Sequence, residues 1–108
     1  MLIAAAVQGK GLDAIIAEKY EDSSHLLIVE TDTMEILSCT EKQDALGECF
    51  VKPMVECWCE AIVCGKIPRE IFTQIADNGI SRYNGALLSA EAGLRGAEDN
   101  SLPMMVKE

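Results

Sequence analysis

The sequence predicts an α/β protein, and three observations carry that reading. Ala61-Ile62-Val63-Cys64 is a short, wholly apolar run, the pattern of a strand covered on both faces. After it come Gly65, Pro68 where a proline starts a helix, Ile71, Phe72, Ile75 and Ala76 on one helical face, and Gly79 as a stop. A further strand begins near Ile80, and a strand–helix–strand unit of this length crosses over right-handed to a parallel strand.

The remaining elements follow in order. Leu2–Val7 is apolar on both faces and reads as a first, central strand. Gln8-Gly9-Lys10-Gly11 is a loop, and Leu12–Tyr20 has helical spacing with Asp13 as a cap. Leu26–Glu30 and Met34–Cys39 are the second and third strands, and the short link Thr31-Asp32-Thr33 requires an antiparallel hairpin. Asp44–Trp58 reads as a helix that Gly47 weakens and Pro53 kinks or restarts. A last helix is expected from about Leu88 to Arg95, followed by a loosely ordered tail over 96–108 whose apolar part is Leu102–Val106. At 108 residues this is one domain, 1–108, able to bury about two-thirds of its unfolded surface.

This order of elements is that of the ribonuclease H-like motif: a five-stranded mixed sheet in the order 3-2-1-4-5, strand 2 antiparallel, with flanking helices. Strands 1 and 4 are then parallel neighbours, and open α/β sheets bind ligands beyond the carboxyl ends of such strands. Two loops are expected to meet there, one with Gly9, Lys10 and Gly11, the other with Gly65 and Lys66. The second loop also leads into a helix N-terminus, whose free N–H groups suit an anion. The loop is not a phosphate-binding P-loop, because the spacing and the serine or threonine are missing.

Eighteen acidic against nine basic residues give a net charge of −9, which repels nucleic acid and anionic membrane. No apolar run approaches the ~20 residues of a membrane span, and the apolar start lacks a basic leader, so a cytoplasmic location is expected. In that reducing setting the five cysteines read as thiols rather than as a disulfide framework. Cys57 and Cys59 form a C-x-C pair whose side chains lie about 200° apart on a helix, so they converge only if the helix has ended near Trp58. Enzyme readings find little support: the first strand holds no carboxylate for divalent metal, Asp13 and Glu30 read as solubilising, and a triad would have to recruit His25, with nothing in the sequence to support it. A thiol redox role through Cys59 and Cys64 is a minor alternative.

Leu2–Val7 followed by Gly11-Leu12-Asp13, then Leu26–Glu30, Ala61-Ile62-Val63-Cys64-Gly65 and Asn78-Gly79-Ile80, resembles the dinitrogenase iron-molybdenum cofactor biosynthesis family, the nitrogenase accessory factor-like small proteins. The resemblance covers most of residues 1–95. It implies a ribonuclease H-like fold and the binding or carrying of an iron-sulfur or iron-molybdenum-type cluster. The chain departs from the family at one segment: where members usually have histidine-phenylalanine-glycine, whose histidine is the favoured cluster contact, it has Lys19-Tyr20-Glu21-Asp22. Tyr20 can keep the packing role of the phenylalanine; the sole histidine, His25, lies at the start of the second strand.

On this reading the protein is a non-enzymatic carrier working with cluster-assembly proteins, with no nucleic-acid or membrane partner, and a homodimer is admissible. Gly9, Lys10, Gly11, Lys19, Gly65 and Lys66 would receive the cluster, and Cys64 with Cys39 or His25 would supply ligands. The alternative is a family member that binds no metal and acts through protein contacts.

Overall fold

The computed structural model describes residues 1–106. Six strands and three helices follow one another: β1 (Leu2–Gln8), β2 (Ile15–Ile16), β3 (His25–Glu30), β4 (Glu35–Glu41), α1 (Val51–Glu56), β5 (Ala61–Cys64), α2 (Arg69–Asp77), β6 (Ser81–Asn84) and α3 (Ala90–Glu98). They build a single mixed sheet in the order β4-β3-β1-β5-β6, with β2 paired to β1 off that path. β1 runs parallel to β5, and β5 to β6, while β3 is antiparallel to both β1 and β4.

Apolar alternation along the strands builds two core layers. Ala4, Ala6, Leu26, Ile28, Ile62 and Cys64 face α1 and α2, where Met54, Ile71 and Ile75 pack. Ile3, Ala5, Val7, Leu27, Val29 and Val63 face α3 through Ala90, Leu94 and Ala97. Small residues on β1 let the helices approach closely, and Gly93 on α3 sits directly over Val63.

Three expectations need correction. The sheet has six strands rather than five, because Leu12–Tyr20 is not a helix. Gly9, at φ +144°, turns β1 back on itself, so the β-branched pair Ile15-Ile16 hydrogen-bonds along β1, Val7 opposite Ile16. The helix expected over Asp44–Trp58 is confined to Val51–Glu56. Before it, the Asp44 carboxylate accepts from the amides of Glu48 and Cys49, Gly47 takes φ +80°, and a single 3-10 turn spans Glu48–Phe50. Pro53 kinks nothing: it is the third residue of α1, where its absent N–H has no partner to lose.

The described part of the tail, 96–106, makes defined contacts. Residues 96–98 belong to α3, Leu102 packs on Gly96, and Asn84 and Met105 donate their amides to Pro103 and Arg82 respectively. Residues 107–108 lie outside the described part. Among the described residues, no helix is long and apolar enough to cross a membrane.

Candidate functional site at the carboxyl end of the sheet

The parallel pair β1 and β5 does come together, with Ile3, Ala4 and Ala5 opposite Ala61, Ile62 and Val63. The crevice expected beyond their carboxyl ends is occupied by the chain itself. β2 continues through Ala17 and Glu18 across the end of β5, where Lys66 donates its amide to Glu18 at 3.0 Å and Tyr20 donates its amide to Lys66 at 2.8 Å. Gly65 makes this possible, since a Cβ there would stand 2.1 Å from the Glu18 carbonyl oxygen and 2.4 Å from that of Ala17. The glycine serves close backbone approach.

What stays open is a shallower cleft of about 130 Å³ on the outer side of that crossing, lined by Lys19, Glu21, Lys66, Ile67 and Pro68. Lys19 and Lys66 are paired in register, and both are exposed. Pro68 caps α2 without any side-chain acceptor, and the Phe72 amide donates back to the Pro68 carbonyl at 2.9 Å. Gly9, Lys10 and Gly11 form the β1–β2 hairpin loop, with the Gly9 amide donating to Ser24 Oγ at 2.9 Å and the Ala14 amide to the Gly11 carbonyl. Lys10 is exposed on that loop and does not line the cleft.

The three residues expected as metal ligands are not brought together. Cys64 is fully buried on the α1/α2 side of the sheet. Its burial, only partly offset by the Arg82 charge, raises the thiol far above its ordinary range, so it stays protonated at neutral pH. Cys39 pairs with Leu27 and His25 with Val7, which puts both on the opposite, α3-side face. His25 is half-buried with Nδ1 2.9 Å from Ser24 Oγ, and Cys39 is exposed. Among the described residues, no group of three His, Cys, Asp or Glu side chains is arranged to hold a metal ion.

In place of the family's histidine-phenylalanine-glycine, Tyr20 keeps the aromatic in the core: it is fully buried, edge-on to Phe50 at 5.8 Å, and its hydroxyl donates to the Gly47 carbonyl at 2.8 Å. Glu21 reaches the cleft, and its carbonyl accepts from the Lys42 ammonium. The sequence reading missed the Ala17–Glu18 crossing. The adjacent β-branched Ile15-Ile16, following two glycines, was the available signal of a returning strand.

The sequence model of a family described as "Dinitrogenase iron-molybdenum cofactor" matches residues 1–99. The chain belongs to this family. Solved structures agree in fold. The apo form of the orange protein from Desulfovibrio gigas superposes with a TM-score of 0.83 at 15% identity, covering 98% of this chain and 93% of that one. A Thermotoga protein assigned as NifB gives 0.80 at 14% identity over 99% and 95%. A Methanocaldococcus jannaschii protein assigned as a dinitrogenase gives 0.68 at 22% identity over 97% and 96%. No curated protein matches the sequence.

Proposed function

We propose that this chain is a non-enzymatic, single-domain binding protein of ribonuclease H-like architecture that carries an iron-sulfur or iron-molybdenum-type cluster as cargo. It holds that cargo by the charge of its lysines rather than by thiolate ligation. The observation that carries the reading is the registered pair Lys19 and Lys66 beside the uncapped start of α2, in a chain of this family. Sulfide-bearing clusters are anionic, and two ammonium groups beside the positive end of the α2 dipole complement them even on a molecule of net charge −9.

Within the site, Gly65 seats the Ala17–Glu18 crossing that sets Lys19 against Lys66. Gly9 and Gly11 form the hairpin whose Lys10 adds to the positive potential of this sheet end. The cleft is small against ordinary ligand pockets of roughly 300–1,000 Å³, so the cargo sits exposed, ready for transfer to a cluster-assembly protein in the cytoplasm. Cys64, Cys39 and His25 contribute no joint ligand set on this reading.

Anaerobic reconstitution with iron and sulfide, with and without molybdate, tests it. Retained metal and a visible charge-transfer band are expected. Lys19→Glu and Lys66→Glu should each abolish both, while Cys64→Ala should leave them in place. A colourless, metal-free protein overturns the reading and leaves the second one: a family member acting through protein contacts, which Glu21 in the cleft favours because its carboxylate opposes an anionic cargo.

A further inference from the structure

At the other end of β5, α1 stops in a hydrogen-bonded reversal. The Cys59 amide donates to the Met54 carbonyl at 3.0 Å and the Trp58 amide to the Val55 carbonyl at 3.1 Å, with Trp58 in the left-handed region at φ +59°. Glycine is the usual occupant of that position, and a bulky residue there is conformationally costly. The cost is incurred to hold out the chain's sole tryptophan with 87% of its surface exposed. Such strain is retained where the displayed group has a use.

The ring borders an open groove of about 450 Å³ between the ends of α1 and α2, with exposed Val55 as apolar wall backed by the buried Met54 and Ile80, and Glu60 and Asn78 as polar rim. Two helix C-termini point their last carbonyls to this side, and neither helix carries a basic residue in its last turn. The helices close on Glu56 and Asp77, both exposed, so the surroundings are anionic as well as apolar.

We propose that this groove docks a basic segment of a partner protein, an arginine or lysine laid across the Trp58 ring with an adjoining aliphatic side chain on Val55. Charge complementarity selects that occupant. A cation over an indole, near two helix C-termini without a basic residue in their last turns and near Glu60, is attracted by all three, and its aliphatic stem matches the apolar wall. A second copy is disfavoured, since it brings a net charge of −9 to an already negative surface. The groove lies at the opposite end of β5 from the Lys19–Lys66 cleft, so docking and cargo loading are separable.

Because Trp58 is the only tryptophan, its emission reports binding directly. The probe is a capped Arg-Leu-Arg-Leu-Arg peptide, with its Glu-for-Arg counterpart and argininamide as comparisons. A saturable blue shift with the basic peptide alone, weakening with salt, is expected. Calorimetry should show Trp58→Gly and Glu60→Lys binding the basic peptide about tenfold more weakly or worse. Trp58→Gly should melt no lower than the parent protein, because glycine suits the left-handed position, so lost binding cannot be ascribed to unfolding. Equal binding of the acidic peptide, undiminished binding by Trp58→Gly, or argininamide binding as tightly as the peptide would each overturn the proposal, the last by reducing the groove to a small-cation site.

Discussion

Substituting Gly65 by alanine tests whether the chain's own crossing, rather than an open crevice, organises the carboxyl end of the sheet. The new methyl would lie 2.1 Å from the Glu18 carbonyl oxygen and 2.4 Å from that of Ala17, both backbone atoms without a rotamer to escape by. Ordinary contact begins at 3.4 Å, so the crossing strand must retreat by roughly 1.3 Å. Overpacking of this kind costs about 1–3 kcal/mol. The retreat also strains the Lys66-to-Glu18 and Tyr20-to-Lys66 backbone hydrogen bonds, each worth about 1 kcal/mol. A loss of about 3–5 kcal/mol is therefore expected, lowering the melting temperature by roughly 12–20 °C at about 4 °C per kcal/mol. Urea and thermal unfolding followed by circular dichroism measure it. Gly79→Ala is the internal comparison: it has φ +71° but nothing within 4 Å, so only the backbone cost of about 1 kcal/mol applies. If Gly65→Ala melts within about 3 °C of the parent protein, the close-approach argument fails and the crevice must open more readily than the packing implies.

Three further outcomes follow from the same geometry. Tyr20→Phe removes the hydroxyl that the buried Gly47 carbonyl accepts from and should cost about 1–2 kcal/mol in urea unfolding, with the edge-on contact to Phe50 preserved. Ser89→Ala deletes the side-chain acceptor of the Ala92 amide at the start of α3 and should cost about 1 kcal/mol by the same assay. Alkaline titration should destabilise the fold. Burial raises the Cys59 thiol from 9.0 to about 12 and raises Cys64 further, so between those values the folded state binds more protons than the unfolded one. Stability is then intact below about pH 9 and declines as pH rises toward 12. The urea midpoint should fall from pH 9 to pH 10.5, and less steeply in Cys64→Ala, whereas a flat profile would contradict thiol burial.

The strands that form the middle of the sheet were legible because burial on both faces imposes an apolar run that needs no context. Leu2–Val7, Leu26–Glu30 and Ala61–Cys64 each read that way, and β1, β3 and β5 match them to within a residue. The strand–helix–strand unit was equally plain, since Pro68 and Gly79 bracket an amphipathic stretch that α2 occupies from Arg69 to Asp77. Misreadings arose where a local signal competed with pairing partners far away in sequence. Leu12–Tyr20 has helical spacing, but Val7 and Gln8 offer free backbone groups beyond the end of β5, and Ile15-Ile16 takes them. Over 44–58, Asp44 and Gly47 hold the chain in a turn until Val51, which propensity alone does not reveal. The left-handed Trp58 left no trace in the sequence, because a tryptophan does not advertise that conformation.

Site chemistry was less legible than the scaffold, and the reason is the same insertion. A ligand crevice between β1 and β5 follows from strand order alone, provided nothing in the chain fills it. Here β2 and the crossing at Ala17–Glu18 fill it, so the thiol at the end of β5 is sealed into the core and the cations move outward. The departure at Lys19-Tyr20-Glu21 acquires its meaning from this. Tyr20 points inward and carries the packing, so residues on either side are free to vary without cost to the fold: Lys19 is exposed and Glu21 lines the cleft. A histidine at position 19 would stand at that cleft, next to Lys66, in reach of whatever occupies it. Lys19→His should therefore fold as the parent protein does, the Tyr20 contacts being untouched. If the cleft is the cargo site, this variant should retain more metal in anaerobic reconstitution than Lys19→Ala, because imidazole ligates metal and a methyl group does not. Equal retention by the two variants would place the cargo elsewhere on the molecule.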